Sequence, residues 1–143
     1  MNTRMKVARL VAVPLAVCSA GLGLALSPAS GQGGDLSMLD RLEPGLWELR
    51  AREPGIPAKR LCIGNGRDFV QLRHSGLDCE RVVVSDTPAH VSVQYTCRGQ
   101  GYGRTSVRRE TDSLVQLDSQ GIEQGRPFAF AAEARRLGAC RGG

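Results

Sequence analysis

Beyond residue 44, hydrophobic and polar positions alternate with a period of two through most of the chain. In Leu46-Trp47-Glu48-Leu49-Arg50-Ala51-Arg52, the side chains of Trp47, Leu49 and Ala51 point one way and those of Glu48, Arg50 and Arg52 the other. That pattern predicts a strand with one buried face. Lys59 to Ile63 predicts a short second strand after the Glu53-Pro54-Gly55-Ile56-Pro57 turn. Asn65 is placed to cap a helix, with Asp68 three residues later as its partner; Phe69, Val70 and Leu72 give that helix an apolar side and Gly76 stops it.

The stretch from Cys79 to Cys97 holds two β-branched runs about a turn centred on Pro88. Folding it there opposes residues 79 and 97, 81 and 95, 83 and 93, and 85 and 91. Opposed Cβ atoms in an antiparallel pair lie roughly 4.5–5.5 Å apart, close to what a disulfide requires. A disulfide-closed hairpin is therefore expected, with a five-residue loop, since a three-residue loop favours glycine or asparagine in the left-handed position. In that register Arg81 is expected to lie over the Tyr95 ring.

Gly99, Gly101 and Gly103 follow. They resemble a phosphate-binding loop only superficially, because such a loop opens a helix, whereas Thr105 to Thr111 reads as a strand. A flexible loop or bulge is expected at these glycines. Asp112-Ser113 turns into a strand from Leu114 to Asp118, and residues 120–127 form the last connection. In the final strand, residues 128–137, Phe128, Phe130, Ala132 and Ala134 share a face. The predicted fold is mainly β: one small antiparallel sheet of about seven strands, a meander or open barrel, with one short helix. Trp47, Leu49, Phe69, Phe128 and Phe130 are expected to fill a packed core.

The N-terminal third differs in kind. Arg4, Lys6 and Arg9 precede an apolar run from Leu10 to Leu26 and then small residues at 27–32. This is the pattern of a secretory signal peptide, residues 1–31, cleaved after Ala29 or Gly31. Cys18 sits in a lipoprotein-like context, but Val17 is too large for an acylation box and the apolar run continues past it. Residues 32–43 are expected as a flexible leader with at most a short helical turn at 35–42, residues 44–140 as one β-rich domain, and residues 141–143 as a tail. No stable transmembrane segment is expected after cleavage.

Four cysteines survive that cleavage. An even count in an exported chain argues for two disulfides. The hairpin selects Cys79–Cys97, which leaves Cys62–Cys140. Closing these loops is worth about 3 and about 4.5 kcal/mol on a chain-entropy account. The cysteines lack zinc-type spacing and His74 and His90 lie elsewhere, so no metal or cofactor is expected.

Charge narrows the partners. The chain has 19 basic and 14 acidic side chains; three basic ones lie in residues 1–9, leaving 16 against 14. All but Lys59 of those 16 are arginine. A near-neutral balance gives little basis for nucleic-acid binding, and Arg104, Arg108, Arg109, Arg135 and Arg136 are expected on a solvated face.

Taken in order, Pro44-Gly45-Leu46-Trp47-Glu48, Cys62, the Cys79–Cys97 hairpin, the glycine-rich stretch and Arg136-Leu137-Gly138-Ala139-Cys140 resemble the exported bacterial family named domain of unknown function 3617. The resemblance spans about residues 42–140. It implies a cell-envelope location and a disulfide-bearing β domain; the family has no established activity, so no functional residue is carried over.

No Gly-x-Ser-x-Gly or His-Glu-x-x-His motif occurs. His74 is expected at a helix end, where a cation suits the dipole, and His90 across from Asp86 at the hairpin tip. A hydrolase is disfavoured. The expected role is a monomeric, non-enzymatic interaction or structural module of the periplasm or secreted fraction, holding an envelope protein. The alternative is an open barrel that binds a small apolar or lipid ligand; an apolar cavity above about 300 Å³ would distinguish it.

The exported protein should begin between Ser30 and Gly33 and carry no lipid. N-terminal sequencing with intact mass checks this, and a lipid-modified Cys18 at the N-terminus would overturn it.

Overall fold

The computed structural model describes residues 34–140. The expected signal peptide, Cys18 and the tail at 141–143 lie outside the described residues. Seven strands, β1 (Gly45–Ala51), β2 (Lys59–Ile63), β3 (Glu80–Asp86), β4 (His90–Cys97), β5 (Gly101–Thr111), β6 (Leu114–Glu123) and β7 (Arg126–Gly138), form one open antiparallel sheet in the order β2-β1-β7-β6-β5-β4-β3. Strands β3 to β7 follow each other as a meander, and β1 pairs with β7 on one side and β2 on the other. Two helices accompany the sheet: α1 (Ser37–Asp40), inside the stretch 35–42 where a short helical turn is expected, and a 3-10 helix, Gly66–His74, beginning where Asn65 is expected to cap it.

The period-two pattern places the core. Trp47, Val91, Val93, Tyr95, Val107, Val115, Leu117 and Ala134 share one face and are buried. Phe69 and Val70 of the 3-10 helix pack onto that face, with the Phe69 ring edge-on to Trp47 at 5.1 Å. The Trp47 indole N–H donates to the Glu43 carbonyl at 3.0 Å, so its one polar atom is satisfied. The helix starts as its sequence requires. Asn65 Oδ1 accepts from Arg67 N at 2.8 Å and Asp68 Oδ2 from Asn65 N at 3.1 Å, a complete capping box.

Residues 34–43 are not a mobile leader. Leu36, Met38, Leu39 and Leu42 are buried in the core cluster, and α1 lies against the 3-10 helix and β4. Two polar contacts hold this segment. Arg67 grips Asp40 with two bonds, Nε to Oδ1 at 2.8 Å and Nη2 to Oδ2 at 2.7 Å. Asp86 Oδ2 accepts from Leu36 N at 3.1 Å.

Asp86 is available because of a bulge. Val83 pairs with Val93 as expected, but the register then shifts so that Ser85 meets Ser92 and Asp86 meets Val91. The expected pairing of Ser85 with Val91 is thereby corrected. The extra residue turns Asp86 onto the face where Val91 is buried. The turn beyond it is tighter than the expected five-residue loop. Thr87 N donates to the His90 carbonyl at 2.9 Å and His90 N to Thr87 Oγ1 at 2.9 Å, so the threonine hydroxyl closes the loop around Pro88-Ala89. The β6–β7 turn is Gln124-Gly125, with φ of 48° and 76°. Two positive φ values match the twist of a two-residue hairpin. Gly121, expected in the last connection, lies instead inside β6.

Both disulfides join the expected cysteines: Cys62–Cys140 with Cα atoms 5.7 Å apart, and Cys79–Cys97 at 4.2 Å. Among the described residues no helix is long and apolar enough to cross a membrane.

Arg67 holds the Asp40 carboxyl below its ordinary value of 3.8, and Arg50 with Arg60 hold that of Glu48 below 4.5. A carboxyl depressed on folding contributes stability above its unfolded value and loses it as pH falls through the folded one. The melting midpoint should therefore drop as pH is lowered below the ordinary carboxylate range. Asp40→Asn should lower the neutral-pH midpoint and flatten that acid slope, read by thermal denaturation across a pH series.

Candidate functional site

Gly103 in β5 and Gly121 in β6 pair with each other, between Tyr95 of β4 and Phe128 of β7. On the helix-covered face this row reads aromatic, glycine, glycine, aromatic, and the two glycines leave a hollow. His74, the last residue of the 3-10 helix, sits there, its ring 5.4 Å from Tyr95 and 6.0 Å from Phe128. A Cβ on Gly103 would overlap the Tyr95 hydroxyl, and one on Gly121 would overlap the Tyr102 carbonyl. At Gly101 a Cβ would overlap the Ile122 carbonyl and lie 3.0 Å from His74 Nε2. Of the glycines expected in a loop or bulge, Gly99 lies in the turn before β5, whereas Gly101 and Gly103 are strand residues where neighbouring groups approach closely.

The hollow encloses a polar cluster. His74 Nδ1 lies 3.3 Å from the Tyr95 hydroxyl, and Thr105 Oγ1 lies 2.8 Å from Ser119 Oγ. All four residues are buried. Burial raises the Tyr95 pKa above its ordinary 10.0, so the phenol stays protonated. His74 Nε2 has no hydrogen-bond partner among the described residues. Among the described residues no carboxylate is hydrogen-bonded to the cluster, and Ser119 bonds Thr105 rather than His74, so the arrangement is not that of a hydrolytic triad.

A second feature opens to solvent. Strand β7 is 13 residues long and β1 is 7, and their pairing ends at Ala51 and Ala132. The earlier residues of β7, Phe128 and Phe130, therefore have no β1 neighbour. Opposite them stand Leu72, Arg73 and Ser75 of the helix end, and the β1–β2 loop brings Ile56 and Pro57 over the gap. The result is an open groove of about 640 Å³, floored by Leu49, Ala51 and Ala132 and walled by Leu61, Leu72, Phe128 and Phe130. Leu49, Phe128 and Phe130, expected inside a packed core, line this groove half-buried. Ile56 at its lip is 55% exposed.

Two cations border the groove. Arg73 is engaged: Nη2 donates to Glu123 Oε2 at 2.5 Å, and its guanidinium stands 5.5 Å from the Phe128 ring centroid. Lys59 forms no ion pair among the described residues. No carboxylate lines the groove. Beyond Leu61 and Leu72 lies a polar cleft of about 700 Å³. Several of its charged and amide groups are already used by the fold: Arg67 by Asp40, Asp68 by the helix cap, and Gln71 Oε1 by Arg81 Nη2 at 2.6 Å.

That last bond corrects the expectation for Arg81, which pairs with Tyr95 in register but reaches the helix instead of the ring. His90 pairs across the sheet with Arg108, and Asp86, its expected partner, is turned inward by the bulge. His74 stands at the helix end as expected, but its ring is buried rather than solvated. Of the five arginines expected on a solvated face, Arg108 is paired with Glu110, Arg109 with Asp112, Arg135 with Glu133 and Arg136 with Glu43. Arg104 Nε donates to Ser92 Oγ at 3.1 Å. Among the described residues no three His, Cys, Asp or Glu side chains converge to hold a metal.

No family model matches the chain, and neither a curated protein nor a solved structure matches it. The resemblance to domain of unknown function 3617 rests on the residues quoted for it.

Filling the hollow should be destabilising. Gly103→Ala should cost about 1–3 kcal/mol, as overpacking does. Adding Tyr95→Phe, which removes the opposed hydroxyl, should recover part of that loss. Urea denaturation of the single and double variants measures both, and independent, additive effects would contradict the packing described.

Proposed function

We propose that this is an exported, non-enzymatic binding domain of the periplasm or secreted fraction that takes a small apolar or lipid ligand in the groove between β7 and the 3-10 helix. One observation carries the proposal: about 640 Å³ of open volume lined by Leu49, Leu61, Leu72, Phe128 and Phe130. Ligand sites fall at about 300–1,000 Å³, with apolar walls and a few polar groups, and this groove lies inside that range. It favours the ligand-binding alternative over the interaction module. The two disulfides favour an oxidising compartment, and the family resemblance implies a cell-envelope location. A binding role is preferred to a hydrolytic one because Ser119, Tyr95 and His74 are sealed from solvent and, among the described residues, bond no carboxylate.

An interaction role has one feature of its own. Edge strand β3 exposes Val82 and Val84 at 65% and 48%, and exposed edges accept added strands. The bulge at this point interrupts the ladder, so the groove is the stronger candidate.

The oxidised protein, titrated with the neutral fluorophore N-phenyl-1-naphthylamine, should bind one equivalent with enhanced emission. Ile56→Asp at the lip and Phe130→Ser in the wall should each weaken binding about tenfold or more, with thermal unfolding used to confirm that both variants fold. Absence of binding, or binding indifferent to both substitutions, would overturn the groove as the site.

A further inference from the structure

Resting on the groove as the ligand site, we propose that its ligand is a single-chain amphiphile bearing one negative charge, a long-chain carboxylate whose headgroup pairs with Lys59. Lys59 stands opposite Leu49 in the β1–β2 register, and the row continues through Ala134 to Val115. Paired residues share a face, so this lysine projects on the apolar side of the sheet.

Its surroundings do not neutralise it. On the opposite face the nearby arginines are engaged: Arg50 and Arg60 with Glu48, and Arg52 with Asp118. Arg73, the groove's other cation, is held by Glu123. Lys59 has no ion-pair partner among the described residues, and the groove lining contains no acid. A lone cation at the border of an apolar channel is complementary to an anionic head on an apolar chain.

The count of charges selects the head. One uncompensated lysine matches a monoanion, whereas a phosphate monoester carries close to two charges at neutral pH and would need a second free cation. Arginine is the usual choice for bidentate anion recognition; a flexible ammonium is a single point charge. Lys59 is the sole lysine beyond residue 6, so its chemistry can be followed without interference.

Displacement of N-phenyl-1-naphthylamine by dodecanoate, dodecanol and dodecylamine, each below its micelle concentration, tests the proposal. Dodecanoate should bind about fivefold more tightly than dodecanol, the ratio given by a partly exposed ion pair, and dodecylamine most weakly. Lys59→Met should erase the preference for the acid, read as the ratio of dodecanoate to dodecanol affinity falling from about fivefold to about one. In parallel, acylation of Lys59 by an amine-reactive reagent, followed by peptide mass spectrometry, should slow in saturating dodecanoate but not in dodecanol. Equal affinities for acid and alcohol, or unaltered Lys59 labelling in the acid, would overturn the headgroup assignment with the groove intact. Failure of all three amphiphiles to displace the probe would overturn the groove and this inference together.

Discussion

The docking of the 3-10 helix into a hollow made by missing side chains is the contact on which the rest of this structure depends. A single open sheet has one face to bury and no second sheet to bury it against. Here the cover is slight: nine residues of 3-10 helix and ten of the preceding segment. A Cβ at Gly101 would lie 3.0 Å from His74 Nε2, while the bare backbone of Gly103 and Gly121 leaves room for the side chains of Tyr95 and Phe128 that flank the histidine. His74 fills the gap with a flat ring whose Nδ1 meets the Tyr95 hydroxyl. The unpaired Nε2 is the cost of that fit, since an unsatisfied buried polar atom is unfavourable by about 1–3 kcal/mol. It is offset by the packing of Phe69, Val70 and the ring itself.

Because the helix is anchored by His74 at one end and by its capping box and the Arg67–Asp40 pair at the other, its position along the sheet is fixed. It contacts β2, β4, β5 and β6, and its end meets β7 at Phe128. Strand β1 stops at Ala51, where Glu53-Pro54-Gly55 breaks the pattern, while β7 begins far earlier in its own direction. The groove is the area that neither cover reaches. It follows from a mismatch in strand length rather than from any enlargement of the core.

Much of this was legible. Alternation marked β1 and β7, the Asn65–Asp68 pair marked the helix start, and the opposed cysteines marked the hairpin. The parts that were not legible share a cause: they depend on what a residue meets, not on its own pattern. Val82, Val83 and Val84 are chemically identical, so nothing local shows that the ladder slips there and turns Asp86 inward. The Gly101 and Gly103 pair looks like a loop until Tyr95 and His74 are placed over it. Leu36, Met38, Leu39 and Leu42 mark a short helical turn but not its burial, because a stretch this brief has no helical stability of its own; with Arg67 and Asp86 to hold them they complete the core. Phe128 and Phe130 were assigned to the right face; that no strand lies beside them follows only from the β1–β7 register.

The disulfides bear on the groove as well as on the fold. The two edge strands are β2 and β3, and each disulfide lies at one of them. Edge strands have a ladder on one side only, and β2 pairs with β1 over just five positions. Yet β2 carries Leu61, a wall of the groove, and Lys59 at its border. Cys62 lies between those residues and the end of the strand, and its bond to Cys140 ties β2 to the chain beyond β7, across the end of β1. The strand least supported by hydrogen bonds is therefore covalently held to the strand that forms the opposite wall. The Cys62–Cys140 bond thus supports both the marginal core of a small domain and the edge strand that carries Leu61 and Lys59.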